Sequence, residues 1–78
     1  MGNKMVSREE FVDLTWKAFL KIFDFGDESV AKKYFESADA QDTIDFEYKS
    51  YCAKVRDHID SDAPYWAETC AYNLEMLY

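Results

Sequence analysis

Glycine occurs twice, proline once, histidine once and cysteine twice in 78 residues. So few turn-forming residues argue against an all-β domain, which needs a tight turn every several residues. One histidine and two cysteines are a thin inventory for catalysis or for holding a metal. There is no run of about 18 apolar residues, so no segment reads as a membrane span. The opening residues lack the charged-then-apolar pattern of a secretory leader. The chain is therefore expected to act in the cytoplasm, the host cytoplasm if it is phage-encoded. Positive charge is also short: nine Lys and Arg stand against sixteen Asp and Glu, a net charge of −7. That balance disfavours direct binding to nucleic acid or to anionic lipid, and makes a basic protein the sensible partner. Plain solubility accounts for the charge equally well.

Aromatic residues are abundant, with six Phe, six Tyr and two Trp. Each buries about 150–250 Å². A chain this small hides only about 60% of its unfolded surface, so a core dense in rings is what lets it fold alone. One domain over residues 1–78 is expected, with 1–6 outside its folded part. A metal, a cofactor and a disulfide are all unnecessary to it.

Helical signals run the length of the chain. Ser7-Arg8-Glu9-Glu10 is a capping box, with Val6 and Phe11 at the staple positions. The first helix is apolar around most of its girth and should run from about 8 to 25, with Gly26 as a left-handed stop. Asp27 caps a short second helix, about 28–38. A third, about 42–60, carries Ile44, Tyr48, Tyr51, Cys52 and Val55 on one face. A fourth, about 63–77, has Pro64 in its first turn and a core stripe of Trp66, Ala67, Cys70, Ala71 and Leu74. Tyr65, Tyr72 and Met76 lie off that stripe. The fold class is all-α, a small four-helix up-down bundle, with the alternative that the short second helix lies across the others.

In a simple bundle the turns after the first and third helices fall at the same end. That end would gather Asp24, Asp27, Glu28, Asp57, Asp60 and Asp62, and no Lys or Arg lies in 22–31 or 57–62. The opposite end would hold Glu36, Asp39, Asp42, Asp45, Glu47 and Glu75. Asp27, Glu28 and Asp62 are explained as residues at helix starts. Asp24, Asp57 and Asp60 sit at helix ends, where the dipole disfavours an acid by roughly 0.3–1 kcal/mol. Tyr65 follows closely on Asp62, and an aromatic ring among carboxylates suits an arginine. The candidate partner-binding set is Asp24, Asp57, Asp60, Asp62, Tyr65 and Glu68.

Enzymatic chemistry is not expected. Cys52 and His58 are six positions apart on one helix and point about 240° from each other, so they share neither a proton nor a metal. Asp24-Phe25-Gly26-Asp27-Glu28 lacks the alternating ligands of a calcium loop. Cys52 and Cys70 are equidistant from Ser61, so an antiparallel hairpin sets them level. Two reduced, buried thiols are expected.

The stretch His58-Ile59-Asp60-Ser61-Asp62-Ala63-Pro64-Tyr65-Trp66-Ala67-Glu68 resembles a pattern of small phage proteins: an acidic turn, then Pro and Tyr opening a helix, then a further acid. The phage anti-restriction DNA mimics that block type I restriction enzymes carry a related stretch. The resemblance, eleven residues long, implies that Asp57, Asp60, Asp62 and Glu68 stand in for phosphate oxygens. The expected function is non-enzymatic inhibition, as in anti-restriction and anti-CRISPR proteins, by blocking the basic nucleic-acid site of a host defence or DNA-handling protein. Two alternatives share the sequence. One is an immunity or antitoxin-type partner of a basic toxin. The other is a helical interaction module or homodimer using Trp16, Phe19 and Phe23 on the first helix.

Overall fold

Ser7 opens the first helix as its capping box requires. In this computed structural model, which describes residues 5–24, 26–57 and 62–78, the Ser7 hydroxyl accepts the Glu10 N–H at 3.2 Å. Helix α1 spans Arg8–Ile22. It ends three residues earlier than expected because Phe23 turns extended (φ −70°, ψ 123°) while its N–H still reaches the Phe19 carbonyl. Phe25 lies outside the described residues. Gly26 is not left-handed, and what it supplies is space. A Cβ there would stand 3.1 Å from that of Val30.

Helix α2 spans Glu28–Phe35, with the Asp27 carboxylate accepting the Val30 N–H at 3.1 Å. Helix α3, Ala38–Arg56, begins earlier than expected because Ser37 caps it, accepting the Ala40 N–H at 3.3 Å. Helix α4 is Ala63–Leu77, as expected from sequence. Among the described residues the four elements are all helices, packed into one bundle.

Side-chain contacts fix the helix directions. Residues 9–16 of α1 meet 32–36 of α2, and residues 20–23 meet 27–31, so α1 and α2 form an antiparallel hairpin. Helices α3 and α4 form a second one, with Tyr51 against Trp66 and Glu47 accepting the Asn73 amide at 2.9 Å. Helix α1 then runs parallel to α4. At one end Phe11 stacks on Tyr51, which touches Trp66; at the other, Phe23 meets Tyr78 edge-on at 5.3 Å. It follows that α2 and α3 point the same way. Glu36 and Ser37 interrupt a helical path without reversing it.

This corrects the expectation that the two turns share an end. The α1–α2 turn lies at the opposite end from Asp57 and Asp62, the described residues where α3 ends and α4 begins, in a body 40 × 21 × 19 Å. The fifteen residues of α4 separate them by about 22 Å at 1.5 Å per residue. The expected second pole dissolves too. Asp45 accepts from Arg8 Nε at 2.7 Å, Glu36 lines a mid-length groove, and Glu47 bonds Asn73.

The core explains why α1 is apolar nearly all round: it is the central helix, touching α2, α3 and α4. Phe11, Thr15 and Phe19 are fully buried along it, against Ile44, Tyr51, Cys70 and Leu74. The segment before α1 belongs to the fold as well. The Val6 N–H donates to the Tyr51 hydroxyl at 3.1 Å, and the Tyr48 hydroxyl donates to the Val6 carbonyl at 2.8 Å.

Candidate interaction surface

The six candidate residues do not form one site. Asp24 lies beyond the C-terminus of α1, at the end where Phe23 and Tyr78 meet. Asp57, Asp62, Tyr65 and Glu68 lie at the other end, around the α3–α4 connection. Asp60 lies outside the described residues, as does His58. A single acidic rim is thus not built, and Asp24 cannot share a small contact with the other four.

The far group is coherent on its own. Asp57 caps the C-terminus of α3, its N–H reaching the Ala53 carbonyl at 3.0 Å. Its carboxylate therefore sits at the negative end of that helix dipole. Asp62 holds the N-cap position of α4, yet its side chain accepts no capping hydrogen bond. This departs from the expected explanation of Asp62 as a cap. Tyr65 is 67% exposed, and Glu68 follows one turn later on the same flank. Among the described residues, the side chains of Asp57, Asp62, Tyr65 and Glu68 form no hydrogen bond or ion pair. Lys54 and Arg56 in the last turn of α3 bring positive charge to this end, so it is mixed rather than purely negative.

The acids at the α1–α2 turn behave differently. Asp27 accepts from both the Ser29 hydroxyl (2.7 Å) and the Val30 amide, and these hydrogen bonds hold its carboxyl below the usual range. It is committed to its helix. Between α1 and α2 runs a groove of about 280 Å³ floored by Val12, Trp16 and Phe35. Glu9, Asp13, Glu36 and Lys32 edge it. Asp13 there is paired with Lys17 at 3.0 Å.

The apolar residues singled out on α1 are largely engaged within the chain. Phe19 is fully buried; Trp16 tilts against Phe35 at 5.0 Å; Phe23 packs on Phe19 and Tyr78. Phe19 is covered by the chain itself, and Trp16 and Phe23 are half-buried. Exposed apolar side chains lie elsewhere: Tyr72 and Met76 on α4, at 50% and 82% exposure, and Phe46 on α3. The signal that finds the α4 pair is their position off the core stripe, at seven and eleven residues from Tyr65.

Both thiols are free. Cys70 is fully buried, and burial, reinforced by the charge of Glu47, pushes its thiol up to about 12. It is protonated and unreactive at neutral pH. Cys52 is half-buried rather than buried. Burial, with Cys52 close by, also raises Tyr48, whose hydroxyl is engaged by Val6. Among the described residues no three His, Cys, Asp or Glu side chains gather as metal ligands would. No helix among them is long and apolar enough to cross a membrane.

No protein-family model, curated protein or solved structure matches this chain.

Proposed function

We propose that the protein acts by binding, without turnover, and that its partner is a protein with a basic surface of the kind that holds nucleic acid. On this reading it is an inhibitor, of phage or mobile-element origin, that occupies such a surface on a host defence or DNA-handling protein. The contact is the α3–α4 end, with Asp57, Asp62 and Glu68 meeting Lys or Arg and Tyr65 offering its ring face to a guanidinium.

One observation carries the reading. Asp62 sits where a carboxylate would normally cap the helix, but its side chain makes no such bond. Asp57 stands against an unfavourable dipole, and Asp62, although at the favourable end of the α4 dipole, spends none of its hydrogen-bonding capacity on a cap, so both carboxylates are left for a partner. The patch is local, so it matches a few phosphates of a nucleic-acid site and not a continuous duplex track.

Asp57→Asn/Asp62→Asn removes two charges from exposed positions, and the fold is expected to be unchanged by circular dichroism. Immobilised wild-type protein should retain nucleic-acid-binding proteins from bacterial lysate at 50 mM salt and release them before 500 mM. The double variant should retain none of them. The same proteins on both columns, or no such proteins on the wild-type column, would refute the reading. An immunity-type role differs in the partner's identity and is read from the same eluate.

A further inference from the structure

We infer that the outward face of α4 is a docking face for an amphipathic, basic helix of a partner protein. The inference rests on the binding role proposed above; its surface shares Tyr65 and Glu68 with the α3–α4 end but extends along α4 to Met76 and does not need Asp57 or Asp62. Tyr65, Tyr72 and Met76 are 67%, 50% and 82% exposed. On a helix turning 100° per residue they fall within about 40° of one another, opposite the buried row of Ala63, Ala67, Cys70 and Leu74. They make a ridge about 16 Å long. Glu68 and Glu75 run along one flank of it, and the sequence of α4 contains no Lys or Arg.

The spacing of the ridge selects its occupant. Knobs one to two turns apart fit the holes of a facing helix whose apolar anchors recur at i, i+3 or i+4, and i+7. The charge selects its chemistry. Carboxylates along the flank, with no cation on the same helix to oppose them, favour Lys and Arg beside those anchors. A second copy fits poorly. An antiparallel copy on this face keeps the acidic flanks on the same side and sets Glu68 against the other copy's Glu75, between bodies each carrying −7. The ridge also offers only a few hundred Å², against roughly 800 Å² per partner in a stable interface.

The test uses two synthetic 14-residue peptides of equal Leu and Lys content. One has Leu at helical spacing; the other has the same residues in an order that yields no apolar face. The amphipathic peptide, added to the full chain, should shift backbone amide NMR signals over residues 65–76 and bind at least tenfold more tightly than the scrambled one. Tyr72→Ser/Met76→Ser and Glu68→Gln/Glu75→Gln should each weaken it at least tenfold; Tyr72, Met76 and Glu68 are exposed, and half-buried Glu75 is replaced by an amide of the same shape, so the fold stays intact. Asp57→Asn/Asp62→Asn should keep peptide affinity within twofold, so the lysate experiment can fail on that variant without touching this result. Equal binding of both peptides would overturn the inference, as would a larger loss in the Asp57/Asp62 variant. So would a dimer in sedimentation that Tyr72→Ser/Met76→Ser abolishes, which would assign the face to a second copy.

Discussion

Phe19→Ala should nearly unfold this protein, whereas Phe46→Ala should leave it almost untouched. Both remove one phenyl ring from a helix, so the contrast isolates packing. Phe19 is fully buried, with the rings of Phe23, Phe35, Tyr34 and Trp16 at centroid distances of 5.0, 5.9, 6.0 and 6.3 Å. Phe46 is 67% exposed on the outer side of α3. Truncating a buried Phe costs about 3–5 kcal/mol in lost burial and residual cavity. A chain of 78 residues has a total stability of about 4–12 kcal/mol. Its unfolding entropy near the midpoint is about 0.16 kcal/mol/K, from about 2.1 cal/mol/K per residue. A loss of about 4 kcal/mol then lowers Tm by about 24 °C. An exposed truncation worth less than about 0.5 kcal/mol moves it by about 3 °C or less. Thermal melts followed by circular dichroism at two protein concentrations measure both. A fall below about 8 °C for Phe19→Ala would refute the central placement of α1. A wild-type Tm that rises with concentration would refute it too, by showing that another copy covers the helix.

Two further outcomes follow from local chemistry. Asp27 has its folded-state pKa lowered, so its contribution to stability is complete above the unfolded value near 3.8 and is lost as pH falls through the folded one. Asp27→Asn keeps a capping oxygen but no titrating group, so the drop in Tm between pH 6 and pH 2.5 should be smaller than in wild type; an equal drop counts against the cap. Cys70, with its thiol pushed up to about 12 and fully buried, should resist alkylation at pH 8 until urea unfolds the chain, while half-buried Cys52 is modified first. Peptide mass spectrometry that finds Cys70 labelled as fast as Cys52 would show that the α1–α4 seam opens easily.

Helix identity was legible because caps and periodicity are local. Ser7 and Asp27 cap where the sequence places them, and α4 keeps its expected span. Helix direction was not legible. Ala38 continues the phase of Val30, Ala31, Tyr34 and Phe35, so the pattern runs straight across the break at Glu36-Ser37. A two-residue interruption looks the same in sequence whether the chain reverses or goes on. That ambiguity decided where the acids fall, and it separated Asp24 from Asp57 and Asp62. The Asp62 carboxylate was read as a cap because residue type and position both favour one; whether the bond forms depends on backbone geometry that spacing does not encode. The breadth of the apolar surface on α1 was visible, but what covers it was not. The assembled bundle supplies cover for Phe11, Thr15 and Phe19 from within the chain.

The parallel pairing of α1 with α4 has a kinetic consequence. Phe23, just past α1, meets Tyr78, just past α4, across 55 residues, and Tyr34 joins Leu74 across 40. An all-helical chain usually folds fast because its contacts are close in sequence, yet here the principal seam closes between the first helix and the last. During synthesis α1 would leave the ribosome with its greasy side bare and wait for the final fifteen-residue helix before it is shielded. Nascent chains stalled before residue 63 should therefore be the species that chaperones hold and proteases cut.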